Sequence, residues 1–277
     1  MYADDTSLTT SSPDLMTLEF KLNSDLEKIQ NWLHSNKLTL NVKKTKYAII
    51  GSCYKLNNLN HDFIVSVDNR EIERVTSYKY LGVEIDKTLS WRNHTDSLCK
   101  KVSAGIGAIK RVRHLVPSQT LHQMYDALVE PYLEYCCEVW GCMGLCQCDR
   151  LQKLQNRAAR VITSCEDYSI RSANILQDLG WETLENRRSK LLAVSVYKCM
   201  NGFYPEGISA MFDSTASVHS HNLRGSSNNI FIPRPRTEAG KRAFSYRGAV
   251  LWNSLPSDLR NQPNLKSFKD NFINYSF

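Results

Sequence analysis

Met1-Tyr2-Ala3-Asp4-Asp5-Thr6 sets two adjacent acids behind an aromatic and a small residue. Neighbouring carboxylates repel unless positive charge lies beside them. A divalent ion such as Mg²⁺ supplies it well, because it takes hard oxygen ligands from one or two carboxylates plus substrate phosphates. Along a strand successive side chains point to opposite faces, so both acids can serve one site only at a turn between strands. A hairpin with Asp4 and Asp5 at its bend is therefore the sharp expectation. The plainer one is a solvated turn or a helix N-cap.

Outward from this turn, three further stretches follow in order. They are Leu38-Thr39-Leu40-Asn41-Val42-Lys43-Lys44-Thr45, Tyr78-Lys79-Tyr80-Leu81-Gly82-Val83-Glu84-Ile85-Asp86, and Leu89-Ser90-Trp91-Arg92-Asn93-His94. As a set they resemble the second half of the reverse transcriptase of a non-LTR (LINE-type, jockey- or CR1-like) retrotransposon. The resemblance continues through Leu154-Gln155-Asn156-Arg157-Ala158-Ala159-Arg160-Val161-Ile162 and Trp252-Asn253-Ser254-Leu255-Pro256, so it covers essentially the whole chain.

The resemblance implies an RNA-directed DNA polymerase working by two-metal nucleotidyl transfer, with an RNA template, a DNA primer and dNTPs as partners. The implied fold is α+β. Residues 1–92 would form the C-terminal part of a polymerase palm, a small antiparallel sheet with one packed helix. Residues 93–166 would form a helical thumb. Residues 167–277 would form a basic, mostly helical C-terminal region with a flexible linker near 213–229. Asp4 and Asp5 would hold Mg²⁺ (or Mn²⁺), Asp4 as the firmer ligand, and Tyr2 would brace the turn beside the incoming nucleotide.

In the same reading Lys44, in the Lys-Thr pair after a helix, would face the triphosphate. Lys43 is its competitor, and a solvated strand-end lysine is the alternative. Tyr80, Leu81 and Gly82 would grip the primer end, where a residue without Cβ lets a sugar-phosphate backbone come close. A β-bulge glycine without a ligand is the alternative there. His94 is read as structural. The family's third carboxylate and its fingers would precede Tyr2, so the expectation is a chain that does not polymerise by itself. The competing class is a non-enzymatic nucleic-acid-binding remnant.

Composition bounds these readings. A chain of 277 residues with 42% hydrophobic and 10% aromatic content can bury a core and is long enough for two small domains. Lys plus Arg outnumber Asp plus Glu by 35 to 28, a surplus of +7 that suits a polyanion. No apolar run approaches the ~20 residues of a membrane span, and the early charge pair does not fit a signal peptide. An intracellular protein without a membrane partner is expected, in cytoplasm and nucleus as a ribonucleoprotein, and nothing in the sequence points to a protein partner. The 9 cysteines, with no secretory signal, read as free thiols in a reducing compartment. Cys136, Cys137, Cys142, Cys146 and Cys148 crowd together, but without the paired spacing and histidine of a zinc site. Buried or tolerated thiols are the expectation, with a zinc module as the alternative.

Periodicity supplies the rest. Leu15, Leu18, Leu22, Leu26, Ile29 and Leu33 recur at helical spacing, ending at Asn36-Lys37. Trp32 is assigned to the same core. Short strands are expected at 46–50, 63–67, 71–75 and 78–85, with a polar loop over 51–62 and a hairpin turn at Asp68-Asn69. A second stripe, Leu98, Val102, Ile106, Ile109, Val112 and Val116, closes at Pro117. A helix N-capped by Ser118 follows, split or kinked by Pro131. A helix from Asp149 to about Cys165 carries Leu151, Leu154, Ala158 and Val161. One residue round it runs a basic line, Arg150, Lys153, Arg157 and Arg160, without acids at i+4. With Lys100, Lys101, Lys110, Arg111 and Arg113 on a neighbouring helix, this reads as a phosphate-tracking surface rather than plain solvation. A further helix spans 184–200. The aromatic and basic tail around Phe244, Arg247 and Trp252 reads as base-stacking or as an anchor, and Trp252 is assigned to the anchor.

Overall fold

The computed structural model describes residues 6–59, 63–215, 229–272 and 275. Tyr2, Asp4 and Asp5, and most of the expected linker, lie outside these described residues. The chain divides into Met1–Ser90 and Trp91–Phe277, and each unit is taken by itself.

In the first unit, helix α1 spans Leu15–Ser35. Asp14 caps it, its carboxylate accepting from the Thr17 N–H at 2.7 Å, which holds the carboxyl below its ordinary pKa. The helix ends where Lys37 turns left-handed at φ 57°. Leu18, Leu22 and Leu26 pack against buried Phe63, Val65, Val67 and Ile72. Trp32, assigned to this core, is instead 53% exposed. At 3.6 residues per turn it sits about 80° round the helix from the leucine stripe.

The strands are short: β1 Lys46–Tyr47, then helix α2 Cys53–Asn57, β2 Ser66–Val67, β3 Arg70–Glu71, β4 Glu73–Arg74, β5 Ser77–Tyr80 and β6 Val83–Asp86. They do not form the one small antiparallel sheet that was expected. Among the described residues there are three two-stranded ladders: β2–β3 and β5–β6 antiparallel, β1–β4 parallel. The cause lies at Ile72, whose N–H donates to Val65 O at 2.8 Å while its side chain enters the core. There the segment leaves β2 and pairs next with β1. Helix α2 occupies part of the expected polar loop, with the Ser52 hydroxyl accepting from Lys55 N–H.

Both antiparallel pairs turn on two residues with positive φ, Asp68-Asn69 (52°, 57°) and Leu81-Gly82 (44°, 86°), the primed-turn geometry that matches strand twist. Asp86 then closes β6. Its Oδ1 accepts from Thr88 N–H at 3.0 Å, Thr88 Oγ1–H at 2.7 Å and Ser90 N–H at 3.1 Å. Thr88 and Ser90 are thus placed by the Asp86 carboxylate.

The second unit is helical. In chain order it holds α3 Arg92–Val112, α4 Ser118–Leu128, α5 Glu130–Glu134, α6 Cys137–Trp140, α7 Leu145–Ile162, α8 Ser172–Asp178, α9 Leu184–Met200 and α10 Glu206–Ser209. After these come α11 Glu238–Lys241, α12 Phe244–Ser254, α13 Ser257–Arg260 and α14 Leu265–Phe272. The α3 stripe buries Leu98, Val102, Ile106 and Ile109. Pro131 sits in the first turn of α5 and separates it from α4. A Cβ on Gly105 would stand 2.8 Å from the Leu128 carbonyl oxygen, so α3 crosses the end of α4 at backbone contact. His94 is buried edge-on to Trp140 at 5.2 Å.

Farther along, Tyr197 of α9 stacks on Phe268 of α14 at 4.5 Å, and Trp252 of α12 is buried beside both. Asn253 imitates a strand: its Oδ1 accepts from Ile230 N–H at 2.9 Å and its Nδ2 donates to Ile230 O at 2.8 Å. Trp252 therefore anchors the tail. No described helix is long and apolar enough to cross a membrane.

Candidate nucleic-acid interface

Helices α3 and α7 pack side by side. Arg150 Nη2 meets Asp96 Oδ1 at 2.7 Å near their starts, and Arg113 Nη2 meets Glu166 Oε1 at 2.9 Å beyond their ends. Two ion pairs in this order mean that the helices run in the same direction. Asp96 holds the Arg150 guanidinium above its ordinary pKa, and Arg113 holds the Glu166 carboxyl below its own, each mainly through the hydrogen bond. Each pair has a solvent-reached carboxylate, although the Arg113 side chain is itself mostly covered, so they mark geometry more than they add stability.

The basic residues of this pair divide into two sets. Lys100, Lys110, Arg111, Lys153 and Arg157 are exposed. Lys101 and Arg150 are exposed as well but, like half-buried Arg160, they have structural partners. Arg150 is paired with Asp96. The Arg160 guanidinium donates to the carbonyls of Asp167 and Ile170 and lies over the Tyr168 ring, fastening the chain that leaves α7. Lys101 sits 5.2 Å from the centre of the Tyr132 ring.

Glutamines on α7 went unread in the sequence. Gln155 is buried and donates to Glu182 O at 3.0 Å, while Gln152 Oε1 accepts from Leu184 N–H at 2.9 Å. Gln152 Nε2 also donates to Asn156 Oδ1 at 2.9 Å. These amides bind the entry of α9 to α7. The signal was a polar residue on the buried face of an amphipathic helix, which calls for a hydrogen-bond partner.

In the first unit Lys44 is exposed in a turn, where its N–H donates to Asn41 O at 3.0 Å. Tyr80, Leu81 and Gly82 form one side and the bend of the β5–β6 hairpin. Ser7 Oγ donates to Tyr80 Oη at 3.3 Å, so the described chain begins beside that hairpin. Asp4, Asp5 and Tyr2 lie outside the described residues. Among the described residues no three His, Cys, Asp or Glu side chains gather as a metal would need.

The cysteines occupy separate environments. Cys137 is buried and its thiol is pushed up to about 12. Burial also raises Cys136 and Cys148, and Cys146 is exposed. The buried Arg188 guanidinium lies 5.0 Å over the Trp140 ring beside Cys137 and Cys148, and burial lowers its pKa.

Among curated proteins the chain is 27% identical over 193 residues to the probable RNA-directed DNA polymerase from transposon BS of Drosophila melanogaster, a match covering 68% of this chain and 21% of that protein. The RNA-directed DNA polymerase from mobile element jockey of the same species is 24% identical over 187 residues, 64% of this chain and 19% of the relative. The Pol polyprotein from type-1 retrotransposable element R1 2 of Nasonia vitripennis is 22% identical over 144 residues, 50% of this chain and 35% of the relative. This chain thus spans about a fifth of the length of the two Drosophila relatives. No protein-family model matches it, and no solved structure does. Over part of its length, at modest identity, the chain is similar to the RNA-directed DNA polymerases of non-LTR retrotransposons.

Proposed function

We propose that the chain is a segment of a non-LTR retrotransposon reverse transcriptase: the latter part of a palm in Met1–Ser90 and a thumb opening Trp91–Phe277. Its own activity is binding the phosphate backbone of an RNA–DNA duplex. The observation that carries this is the α3–α7 pair, co-directional and bearing exposed Lys100, Lys110, Arg111, Lys153 and Arg157. Its motifs follow the order implied by the family resemblance.

In the complete polymerase Asp4 and Asp5 would hold Mg²⁺ or Mn²⁺, which supplies charge neutralisation at the transferring phosphate. Lys44 would meet the triphosphate, while Tyr2, Tyr80, Leu81 and Gly82 would lie along the primer end. Alone, these 277 residues would bind duplex without extending a primer.

The test is the salt dependence of RNA–DNA duplex binding. The wild type should bind with an affinity that falls linearly on a log–log plot against salt. The double variant Lys153→Ala/Arg157→Ala should lower that slope by about 2. Equal slopes for the two proteins would remove the reading.

A further inference from the structure

A groove of about 560 Å³ opens between α7, α8 and the start of α9. Leu176, Ala173 and Trp181 give it apolar walls, and Asn156, Gln177 and Asn186 place three primary amides round it. Tyr125 stacks on the Trp181 indole at 4.0 Å and fixes the plane of that wall. Asn156 Oδ1 already accepts from Gln152, which leaves its NH₂ as a donor. Glu182 is the acid on the lining, and its carboxylate is paired with Lys190.

Flat apolar walls with amides at the edge suit a planar heterocycle carrying both donors and acceptors. Asn and Gln pair bidentately with base edges, and an indole is a stacking surface that any base can use. The groove also adjoins the cationic face, because exposed Lys153 precedes Asn156 by three residues on α7, about 60° round the same helix.

We propose that this groove takes an unpaired nucleobase of a single-stranded segment. Its edge is held by Asn156, Gln177 and Asn186, its ring lies along Trp181, and Lys153 takes the adjoining phosphate. The proposal rests on the reading of α3–α7 as a nucleic-acid surface. It adds a strand-state preference and a base preference that backbone contacts cannot give.

The test compares the full chain with Gln177→Ala/Asn186→Ala, by fluorescence anisotropy, on labelled single-stranded homopolymers of A, C and U and on a blunt RNA–DNA duplex. The wild type should prefer one homopolymer. The variant, at an unchanged thermal midpoint, should lose about tenfold on that strand, with the preference flattened and duplex binding held within about twofold. Asn156→Ala, which leaves Gln177 and Asn186 in place, should give the same pattern in weaker form. Variants matching the wild type on every strand, or losing duplex and single strand alike, overturn the groove while the duplex-binding reading stands. A wild type that binds neither strand nor duplex overturns both.

Discussion

Helices α1 and α3 are each 21 residues long and carry apolar stripes of the same period, yet they end in different environments. Helix α3 buries His94, Thr95, Leu98, Val102, Ile106 and Ile109, whereas α1 has no fully buried residue. On α1 the leucine stripe is half covered, and Met16 and Phe20 are 70% and 75% exposed. Periodicity fixes which face of a helix turns inward, but the area of the partner surface decides how much that face is worth. Against α1 stand two-residue strands, while α3 meets three further helices in α4, α5 and α7.

Truncation should expose the contrast most strongly. Ile106→Ala should cost about 2–5 kcal/mol, whereas Leu22→Ala should cost about 1 kcal/mol because it removes a half-buried side chain. Urea unfolding with a local probe in each unit measures both, and equal losses would break the comparison. Within α3 itself, Gly105→Ala should destabilise by about 1–3 kcal/mol through contact with the Leu128 carbonyl. At Gly107 an added Cβ would meet nothing within 4 Å, so the same change there should gain up to about 1 kcal/mol. The opposite signs, read from thermal midpoints, would sharpen the picture of a helix dense on one side and open on the other.

Smallest of all is the Arg113–Glu166 pair, whose carboxylate is exposed. The folded Glu166 pKa lies below its ordinary value of 4.5, so its contribution is present above that value and fades as pH falls through the folded pKa. Glu166→Gln should therefore lower the midpoint slightly at neutral pH and match the wild type once Glu166 is protonated. A gap that widened in acid would contradict the assignment.

Much of this was legible in the sequence, and the reasons are local. Asp68-Asn69 announces a hairpin because both residues tolerate positive φ. Pro131 announces a break because its ring cannot continue the preceding helix. The α3 stripe and the anchoring of Trp252 were readable from spacing and from aromatic content. What escaped depends on partners distant in sequence. The switch of pairing at Ile72 is set by Val65 and β1, not by its neighbours. The exposure of Trp32 follows from an angle round α1 that a list of apolar residues conceals. Arg160 shares a helical line with Lys153 and Arg157, yet it is drawn away by carbonyls of the chain after α7. Of the candidate site, the basic residues were visible by type; which of them face solvent was not. The amide groove was invisible, because its walls come from three helices.

The stack of Tyr197 on Phe268 has a consequence for covalent continuity. The segment before residue 215 and the segment after residue 229 are joined without the chain between them, by that stack and by two backbone hydrogen bonds, Phe231 N–H to Asp213 O at 2.8 Å and Thr215 N–H to Asn229 O at 2.9 Å. A protease site engineered between them and then cut should leave two fragments that co-elute under native conditions and separate only in denaturant.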